Sequence, residues 1–314
     1  MQRLRLRFIT SRSISSAAVC LALWGLTAVA FAQTSSGNFD WPVQQPAQQP
    51  APPSLQPQIA IIIDDLGYRK ALGERAIQLP GAVTVAILPY RAHTQALANS
   101  ALVAGKEFLL HAPMEPRNQV PWEDRGLSSD LSHENLHLAL ANMVNALPQA
   151  AGINNHMGSK FTEDGASMQW LMGELKQQHL LFVDSVTTPA SVAWQFAQAS
   201  GVPSVRRDVF LDNVAERAAV EAQLNKLVAI ARSRGYALGI GHPRAVTLDV
   251  LEAYLPRLPE LGVELVSVSR LIERASEPQL QWAETSQATN IDAGEYATGA
   301  AYPAKESSGV TAEN

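Results

Sequence analysis

In the stretch Ile59-Ala60-Ile61-Ile62-Ile63-Asp64-Asp65, five consecutive apolar residues are followed by two acidic ones. A continuous apolar run is typical of a strand that is covered on both faces, as the strands of parallel sheets are. No Gly-x-Gly-x-x-Gly follows the run, so the usual support for a dinucleotide-binding fold is missing. The stretch therefore indicates a parallel α/β fold with carboxylates at the end of its first strand.

Short apolar runs alternate with helical patterns throughout residues 58–275. Strands are predicted at 59–65, 83–89, 107–114, 150–156, 180–185, 204–211, 236–242 and 263–268. Helices are predicted at 70–79, 93–104, 132–147, 164–178, 191–199, 215–234 and 247–256. Seven or eight β–α units in a segment of this length favour a closed α/β barrel in a single domain, with an open doubly wound sheet as the alternative.

The composition narrows the function classes. The chain has 314 residues, a formal net charge of −5, 46% hydrophobic residues and 6% aromatic residues. An apolar content near the average excludes a chain that is disordered throughout, and the single cysteine excludes a disulfide scaffold. The acidic balance argues against a nucleic-acid partner, which would need a basic face to meet phosphates.

Residues 1–32 are predicted to be an export signal. Four arginines and no acidic residue precede an apolar run over 17–31, which is short for a membrane span. The run ends in Ala30-Phe31-Ala32, a small-x-small cleavage site. The mature chain is therefore predicted to begin at Gln33, in the periplasm, with no stable membrane span. An uncleaved anchor is the alternative; a lipoprotein is disfavoured because most of the run follows Cys20.

Polar segments flank the predicted barrel on both sides. Residues 33–57 are dominated by Gln, Pro, Ser and Ala, and residues 276–314 are polar and small without sustained periodicity. Such compositions cannot bury enough apolar surface to offset the entropy lost on ordering. We therefore predict a disordered linker before the barrel and a disordered tail after it.

Ionisable residues end nearly every predicted strand. They are Asp64, Asp65, His111, His156, Asp184, Asp208, Asp212 and His242. A single aspartate at such a position often caps the next helix, and a single buried histidine is often part of the core. Because nearly all the runs end this way, and because the carboxyl ends of barrel strands open on one face, we predict a functional site there.

These residue types are suited to hydrolysis assisted by a metal ion. Adjacent carboxylates can divide their roles, so that one binds a divalent cation while the other takes a proton from water. His111 and His156 offer the imidazole nitrogens that zinc favours. Two histidines and one carboxylate would leave a coordination position open for water, and His242 could act as a general acid across the same pocket.

Four ordered motifs resemble those of the divergent polysaccharide deacetylase family, which is similar to the carbohydrate esterases with a distorted (β/α)7 barrel. The motifs are Ile62-Ile63-Asp64-Asp65-x-Gly67, Leu110-His111-x-Pro113-Met114-Glu115-Pro116, Asn154-Asn155-His156-Met157-Gly158-Ser159 and Gly241-His242-Pro243. The resemblance implies that Asp64 is the catalytic base and that Asp65 and His111 bind the metal ion. It also implies that His242 is the catalytic acid.

Two positions depart from the family pattern. The better-known enzymes carry a second metal-binding histidine four residues after the first, where this chain has Glu115, and Asn154-Asn155-His156 replaces their arginine motif. We infer that His156 supplies the missing imidazole, with Glu115 as the alternative ligand, and we expect zinc as the ion. We also expect Asp184 or Asp208 to orient His242, because a carboxylate partner holds the ring and raises its pKa.

The resemblance implies a deacetylase that removes N- or O-acetyl groups from a cell-envelope polysaccharide or a peptidoglycan-like glycan. The alternative is a non-catalytic periplasmic module that uses the same barrel to bind glycan or a cell-envelope protein. The altered metal motif favours the module, whereas the retention of both aspartates, His111 and His242 favours the enzyme.

The sequence also contains a His-Glu-x-x-His motif at residues 133–137, which matches the zinc-protease signature. Ser132 looks like a helix N-cap, so the motif would occupy the first turns of a helix outside the barrel. No convincing third ligand follows nearby. We therefore interpret the motif as part of a polar helix surface.

Overall fold

The computed structural model describes residues 56–118 and 125–276. The predicted export signal, nearly all of the predicted linker and all but the first residue of the predicted tail lie outside these ranges. Among the described residues, no helix combines the length and the apolar character that a membrane crossing needs.

Strands and helices alternate along most of the described chain, as the sequence predicts; the strand predicted at 263–268 covers only Glu264–Leu265, and an unpredicted helix begins at Val268. The strands are β1 (Gln58–Leu66), β2 (Thr84–Ile87), β3 (Phe108–Met114), β4 (Gly152–Met157), β5 (Leu181–Asp184), β6 (Ser204–Arg206), β7 (Val209–Phe210), β8 (Tyr236–Gly241) and β9 (Glu264–Leu265). The helices are α1 (Lys70–Ile77), α2 (Thr94–Val103), α3 (His133–Ala146), α4 (Gly165–Gln177), α5 (Ala193–Ser200), α6 (Arg217–Arg234), α7 (Ala245–Tyr254) and α8 (Val268–Ser276). Short 3-10 turns lie at Phe161–Glu163 and Leu255–Arg257.

The strands form one parallel sheet in the order β6-β5-β4-β3-β2-β1-β8-β7, with β9 also paired to β1. The two end strands are separated in sequence by only Arg207 and Asp208. The amide of Arg207 donates to the carbonyl of Asp184 on β5, and that of Asp208 donates to the carbonyl of Leu238 on β8. The sheet therefore curls into a distorted (β/α) barrel in a single domain, as predicted, and the open-sheet alternative is wrong.

The segment 204–211 changes partners along its length. Residues Ser204–Arg206 pair with β5, whereas Val209–Phe210 pair with β8. The expectation of one continuous strand here is therefore wrong, because a single straight strand cannot join both edges of a curled sheet.

Alternate side chains of β1 point to opposite faces of the sheet and belong to two different apolar layers. Ile59, Ile61 and Ile63 belong to the large core between sheet and outer helices, whereas Ala60 and Ile62 belong to a smaller cluster inside the barrel. The interior cluster also contains Leu109, Val183, Val205, Leu238 and Ile240, together with Val268, Leu271 and Ile272 from α8. The interior is therefore filled by apolar side chains over most of its depth.

Helix α8 lies at the amino end of the barrel. The amide of Val268 donates to Thr84 Oγ1 and Glu107 Oε1, at the starts of β2 and β3. The apolar interior cluster and α8 therefore occupy the amino end. Except for Asp208, the polar residues predicted for the site lie at the opposite, carboxyl end of the strands.

Candidate metal centre and active site

Asp64 and Asp65 lie at an irregularity of β1. The pairing register with β2 shifts between Ile63 and Leu66, and Asp65 adopts φ = +60°. In a regular strand, consecutive side chains point to opposite faces. The irregularity and the left-handed backbone of Asp65 instead bring both carboxylates close to His111, whose Nε2 is 3.7 Å from Asp64 Oδ2 and 3.2 Å from Asp65 Oδ1.

Three potential ligand atoms from three strands converge at this point. Nδ1 of His156 is 2.9 Å from Asp65 Oδ1 and 3.2 Å from His111 Nε2, which completes a triangle of three short edges. Ligand atoms that bind one ion at about 2.0–2.2 Å are separated by roughly 3 Å or slightly more. The triangle therefore fits a divalent ion, and no other such cluster of His, Cys, Asp or Glu occurs among the described residues.

One atom of the triangle is left without a hydrogen bond. Oδ1 of Asp65 is buried and has no hydrogen-bond partner among the described residues, although two ring nitrogens lie within 3.2 Å of it. Buried polar atoms are nearly always hydrogen-bonded. An unbonded oxygen facing two imidazoles is suited to binding a metal ion.

The electrostatics of the triangle favour a cation. Burial alone would raise the pKa of Asp65, but His111 and His156 hold that pKa well below its usual range. Burial lowers the pKa of His156, which favours the neutral imidazole that metals bind. Burial would also lower the pKa of His111, but Asp64 and Asp65 raise it to about 9. An incoming ion must therefore displace a proton from His111.

Asn154 joins the triangle to Asp64. Its Nδ2 donates to Asp64 Oδ1 over 2.8 Å, and its Oδ1 lies 2.9 Å from His111 Nδ1. Because a carboxamide oxygen only accepts, Nδ1 of His111 is the donor, and Nε2 is the nitrogen that faces Asp65 and His156 and offers its lone pair to an ion once its proton is displaced. Sequence reasoning missed this role, although Asn154 lies two residues before His156 and hence on the same face of β4.

Asp64 lies beside the triangle and is buried. Burial is the main influence on this carboxyl and raises its pKa above the ordinary value, against the lowering effects of His111, His242 and Asn154. A raised pKa makes an aspartate a better proton acceptor near neutral pH.

His242 borders the same site and is held by Asp212. Its Nδ1 lies 2.9 Å from Asp212 Oδ1, and its backbone amide donates to Asp212 Oδ2 over 2.8 Å. Thr247 Oγ1 also donates to Asp212 Oδ2 over 2.9 Å. Burial would lower the pKa of His242, but Asp212 and the nearby Asp64 outweigh it and raise that pKa. The free Nε2 is 3.8 Å from Asp65 Oδ2.

A cleft of about 630 Å³ opens beside these residues. Two residues of the site, Asp65 and His242, line this cleft. Its other lining residues include Tyr68, Arg69 and Arg244. A ligand bound in the cleft would therefore contact both the triangle and the histidine.

Comparison with known proteins identifies the family. The model of a family described as divergent polysaccharide deacetylase matches residues 61–272. The chain belongs to this family. It is 38% identical over 228 residues to the uncharacterized protein YibQ of Escherichia coli K12, covering 73% of this chain and 70% of that protein. An uncharacterized protein of Haemophilus influenzae is 38% identical over 216 residues, which cover 69% of this chain and 77% of that protein.

A solved structure shares the fold of this deacetylase-family chain. The uncharacterized protein ATU2773 from Agrobacterium tumefaciens C58 superposes with a TM-score of 0.67 at 24% identity. The match covers 71% of this chain and 92% of that one.

Two residues expected to serve the site lie elsewhere. Asp184 accepts hydrogen bonds from the loop that follows β5, from the amide of Val186 and the hydroxyl of Ser191. Asp208 forms an ion pair with Arg234 at 2.6 Å. These contacts stabilise a loop and the edge of the sheet.

The expectation that Asp184 or Asp208 orients His242 is therefore wrong, and Asp212 occupies that position. The register explains the difference. Phe210 on β7 lies opposite Ile240 on β8, so Asp212 falls beside His242 while Asp208 falls near the amino end of β8. Asp212 had a signal in the sequence, since it also ends an apolar run.

Glu115, the alternative metal ligand, makes its contacts with loop residues outside the triangle. Its Oε1 lies 2.7 Å from Lys160 Nζ, and its Oε2 accepts from the hydroxyl of Ser128 and from the amide and hydroxyl of Ser129. These contacts tie the loop after β3 to the loop after β4. The structure thus brings His156 to the triangle and leaves Glu115 in a loop contact.

The His-Glu-x-x-His motif lies in the first turns of α3, as predicted. Ser132 Oγ accepts from the amide of Asn135 and caps the helix. His137 Nδ1 lies 3.1 Å from Glu174 Oε2. The motif therefore belongs to a polar contact between outer helices.

Proposed function

We propose that this protein is a metal-dependent deacetylase that hydrolyses N- or O-acetyl groups on a cell-envelope polysaccharide or a peptidoglycan-like glycan. The observation that carries the proposal is the convergence of Asp65, His111 and His156, with Asp64 and His242 each within 4 Å of an atom of these residues. Family membership supports the same activity.

Asp65, His111 and His156 would hold the ion, and a set of two imidazoles and one carboxylate is suited to zinc. When bound, such an ion polarises the acyl carbonyl and acidifies water. Asn154 orients His111 toward the triangle, and outer hydrogen bonds of this kind tune metal affinity.

Asp64 takes the proton from the attacking water in this proposal. Its carboxylate is buried and one of its oxygens is fixed by Asn154, so the other is available to accept. Because burial raises the pKa of Asp64, this group accepts a proton more readily than an exposed aspartate.

His242 gives a proton to the leaving amine or alcohol. Asp212 holds Nδ1 and raises the pKa of the ring above its ordinary value, which favours a proton on Nε2. The acid and the base are contributed by strands β8 and β1, which pair directly. Both groups can therefore reach one substrate bond between them.

The test is acetate release from N-acetylated glycans by zinc-loaded protein, with wild type compared to Asp64→Asn. We expect turnover to fall by about 10²–10⁴-fold, the usual contribution of a general base. The zinc content of the variant, measured by mass spectrometry, should remain that of wild type. Loss of zinc in Asp64→Asn would mean that the roles of the two aspartates are exchanged.

The rival function is a non-catalytic module that binds glycan or a cell-envelope protein. It is favoured by Glu115, which stands where the better-known enzymes carry a metal histidine. The same assay separates the two functions. Equal and negligible acetate release by wild type and Asp64→Asn, across several glycans, would favour the module.

We also propose that the protein acts in the periplasm. The support is the basic start, the apolar run and the Ala30-Phe31-Ala32 site of the sequence. Amino-terminal sequencing of protein from the expressing cell should begin at Gln33. A sequence that begins at Met1 on membrane-bound protein would contradict cleavage.

A further inference from the structure

The cleft beside the metal centre has a polar wall that the proposed chemistry does not use. Its volume is about 630 Å³, and its walls include Tyr68, Arg69, Leu72 and Arg244 as well as Asp65 and His242. Because Asp65 and His242 belong to the site, a glycan with its acetyl group at the site would place neighbouring parts of the sugar in this cleft.

Arg69 brings a positive charge to the cleft that no described residue neutralises. Its side chain is exposed and forms no hydrogen bond or ion pair with any residue that the structure describes. A guanidinium group carries five N–H donors in a planar fork that matches carboxylate and phosphate oxygens. All five remain available to a ligand.

Arg244 provides a second guanidinium on the same wall. Its Nη1 donates to the backbone carbonyl of Asp212 over 2.6 Å, while its side chain remains 44% exposed. The contact anchors the side chain next to His242 and leaves further N–H groups available. Among the described residues, Asp65, the proposed metal ligand, is the one acidic residue in the cleft wall, and Asp212 Oδ2 lies 4.0 Å from Arg244 Nε.

A third cation and an aromatic ring lie at the same edge. Arg91 is placed over the ring of Tyr68, with its guanidinium carbon 4.6 Å from the ring centroid. The Tyr68 side chain is 51% exposed. An exposed aromatic ring next to cations can pack against a sugar ring that carries negative charge.

We propose that this cleft binds an anionic substituent of the glycan, a carboxylate or a phosphate, so that the preferred substrate is an acidic acetylated polysaccharide. This inference rests on the proposed function, since it assumes that a glycan occupies the site. Arg69 and Arg244 form the charged contacts, and Tyr68 packs against the sugar. The local positive charge contrasts with the net charge of −5 of the whole chain.

The test measures glycan binding by isothermal titration calorimetry, using zinc-loaded full-length protein with Asp64→Asn to prevent turnover. Three tetrasaccharides serve as probes: one with lactyl carboxylates, the same one with its carboxyls reduced to alcohols, and a phosphorylated N-acetylglucosamine oligomer. We expect the carboxylated or the phosphorylated probe, or both, to bind about tenfold more tightly than the reduced probe. The stronger of the two identifies the anion.

Charge-neutral variants locate the contact. Arg69→Gln should lower the ratio of affinities for the anionic and the reduced probe from about tenfold to about threefold. The double variant with Arg69→Gln and Arg244→Gln should bind both probes equally. Lys226→Gln, on an exposed position of α6 outside the cleft, removes the same charge and should leave the preference unchanged. Because the contact is partly exposed, raising the salt concentration should weaken the preference in the wild-type cleft.

Equal binding of the three probes, or no binding of any of them, would overturn the inference, as would an equal loss of preference in Lys226→Gln. Failure of the proposed activity can be distinguished from failure of the anion site. An anionic preference without acetate release from any glycan overturns the activity and leaves the anion site in place. Acetate release from neutral glycans, with equal binding of anionic and neutral probes, supports the activity and overturns the anion site.

Discussion

Two polar clusters lie near the carboxyl ends of β3 and β4, and they differ in how their oxygens are satisfied. Both carboxylate oxygens of Glu115 are bonded, one to Lys160 and the other to Ser128 and Ser129. Oδ1 of Asp65, by contrast, is buried without a hydrogen bond among the described residues. A cluster that only holds a loop satisfies its own polar atoms, whereas a set of metal ligands leaves lone pairs that converge on one point.

The contrast shows why residue type alone does not identify a ligand. Glu115 and His156 were both chemically able to replace the missing histidine. Glu115 already has a cation and three donors around it, so binding a metal would require breaking those contacts. Nδ1 of His156, by contrast, already faces Asp65 Oδ1 at 2.9 Å and His111 Nε2 at 3.2 Å.

The largest expected effect is on metal binding. His156→Ala should lower zinc affinity by more than about 100-fold, because it removes one of three protein ligands rather than an outer contact. Competition with a chromophoric chelator measures the change. Glu115→Gln is the matched control and should leave zinc affinity unchanged; weaker zinc binding in that variant would contradict the account.

The next effect concerns the link between Asp64 and His111. Asn154→Ala should lower zinc affinity by about 10–100-fold, as is typical when an outer partner of a ligand is removed. The adjacent Asn155 bonds to the carbonyl of Met157 and the amide of Ser185 instead. Asn155→Ala should therefore leave zinc affinity intact in the same chelator assay, and equal losses would mean that the effect of Asn154→Ala is merely structural.

The pH dependence of turnover tests the pairing of His242 with Asp212. Asp212 raises the pKa of His242, so the acid remains protonated to a higher pH than a free histidine would. Asp212→Asn removes that charge and should move the alkaline limb of kcat/KM to lower pH. Zinc content should be unaffected. An unchanged alkaline limb would indicate that another group is the acid.

The smallest expected effect is on stability. Glu115→Gln should lower the free energy of unfolding by about 1–2 kcal/mol, because it weakens several part-buried hydrogen bonds to one carboxylate oxygen and an ion pair that is partly exposed. Chemical denaturation measures the change. If Glu115→Gln leaves stability unchanged, the loop contact is not the reason for the acidic residue at this position.

Much of this arrangement could be predicted because a parallel barrel brings all strand ends to one face. The alternation of seven or eight β–α units predicted the barrel, and Asp64, Asp65, His111, His156 and His242 at the ends of apolar runs predicted a site at its carboxyl end. The choice of Asp212 over Asp208 could not be predicted. It depends on the register of β7 against β8, which is set where the chain changes partners at Arg207.

The role of Asn154 was hidden for a different reason. It depends on the irregularity of β1, which brings Asp64 within reach of a side chain on β4. The left-handed backbone of Asp65 has no signature in the sequence, because aspartate adopts this conformation more often than most residues but still only in a minority of its positions. Contacts across non-neighbouring strands therefore required the structure.

Anomalous X-ray diffraction from crystals of the protein soaked in zinc would show directly whether the triangle binds the ion. We predict one strong peak at the zinc edge, about 2.0–2.2 Å from Asp65 Oδ1, His111 Nε2 and His156 Nδ1. A peak bound by Glu115 or by the histidines of α3, or the absence of any peak at the triangle, would contradict this prediction.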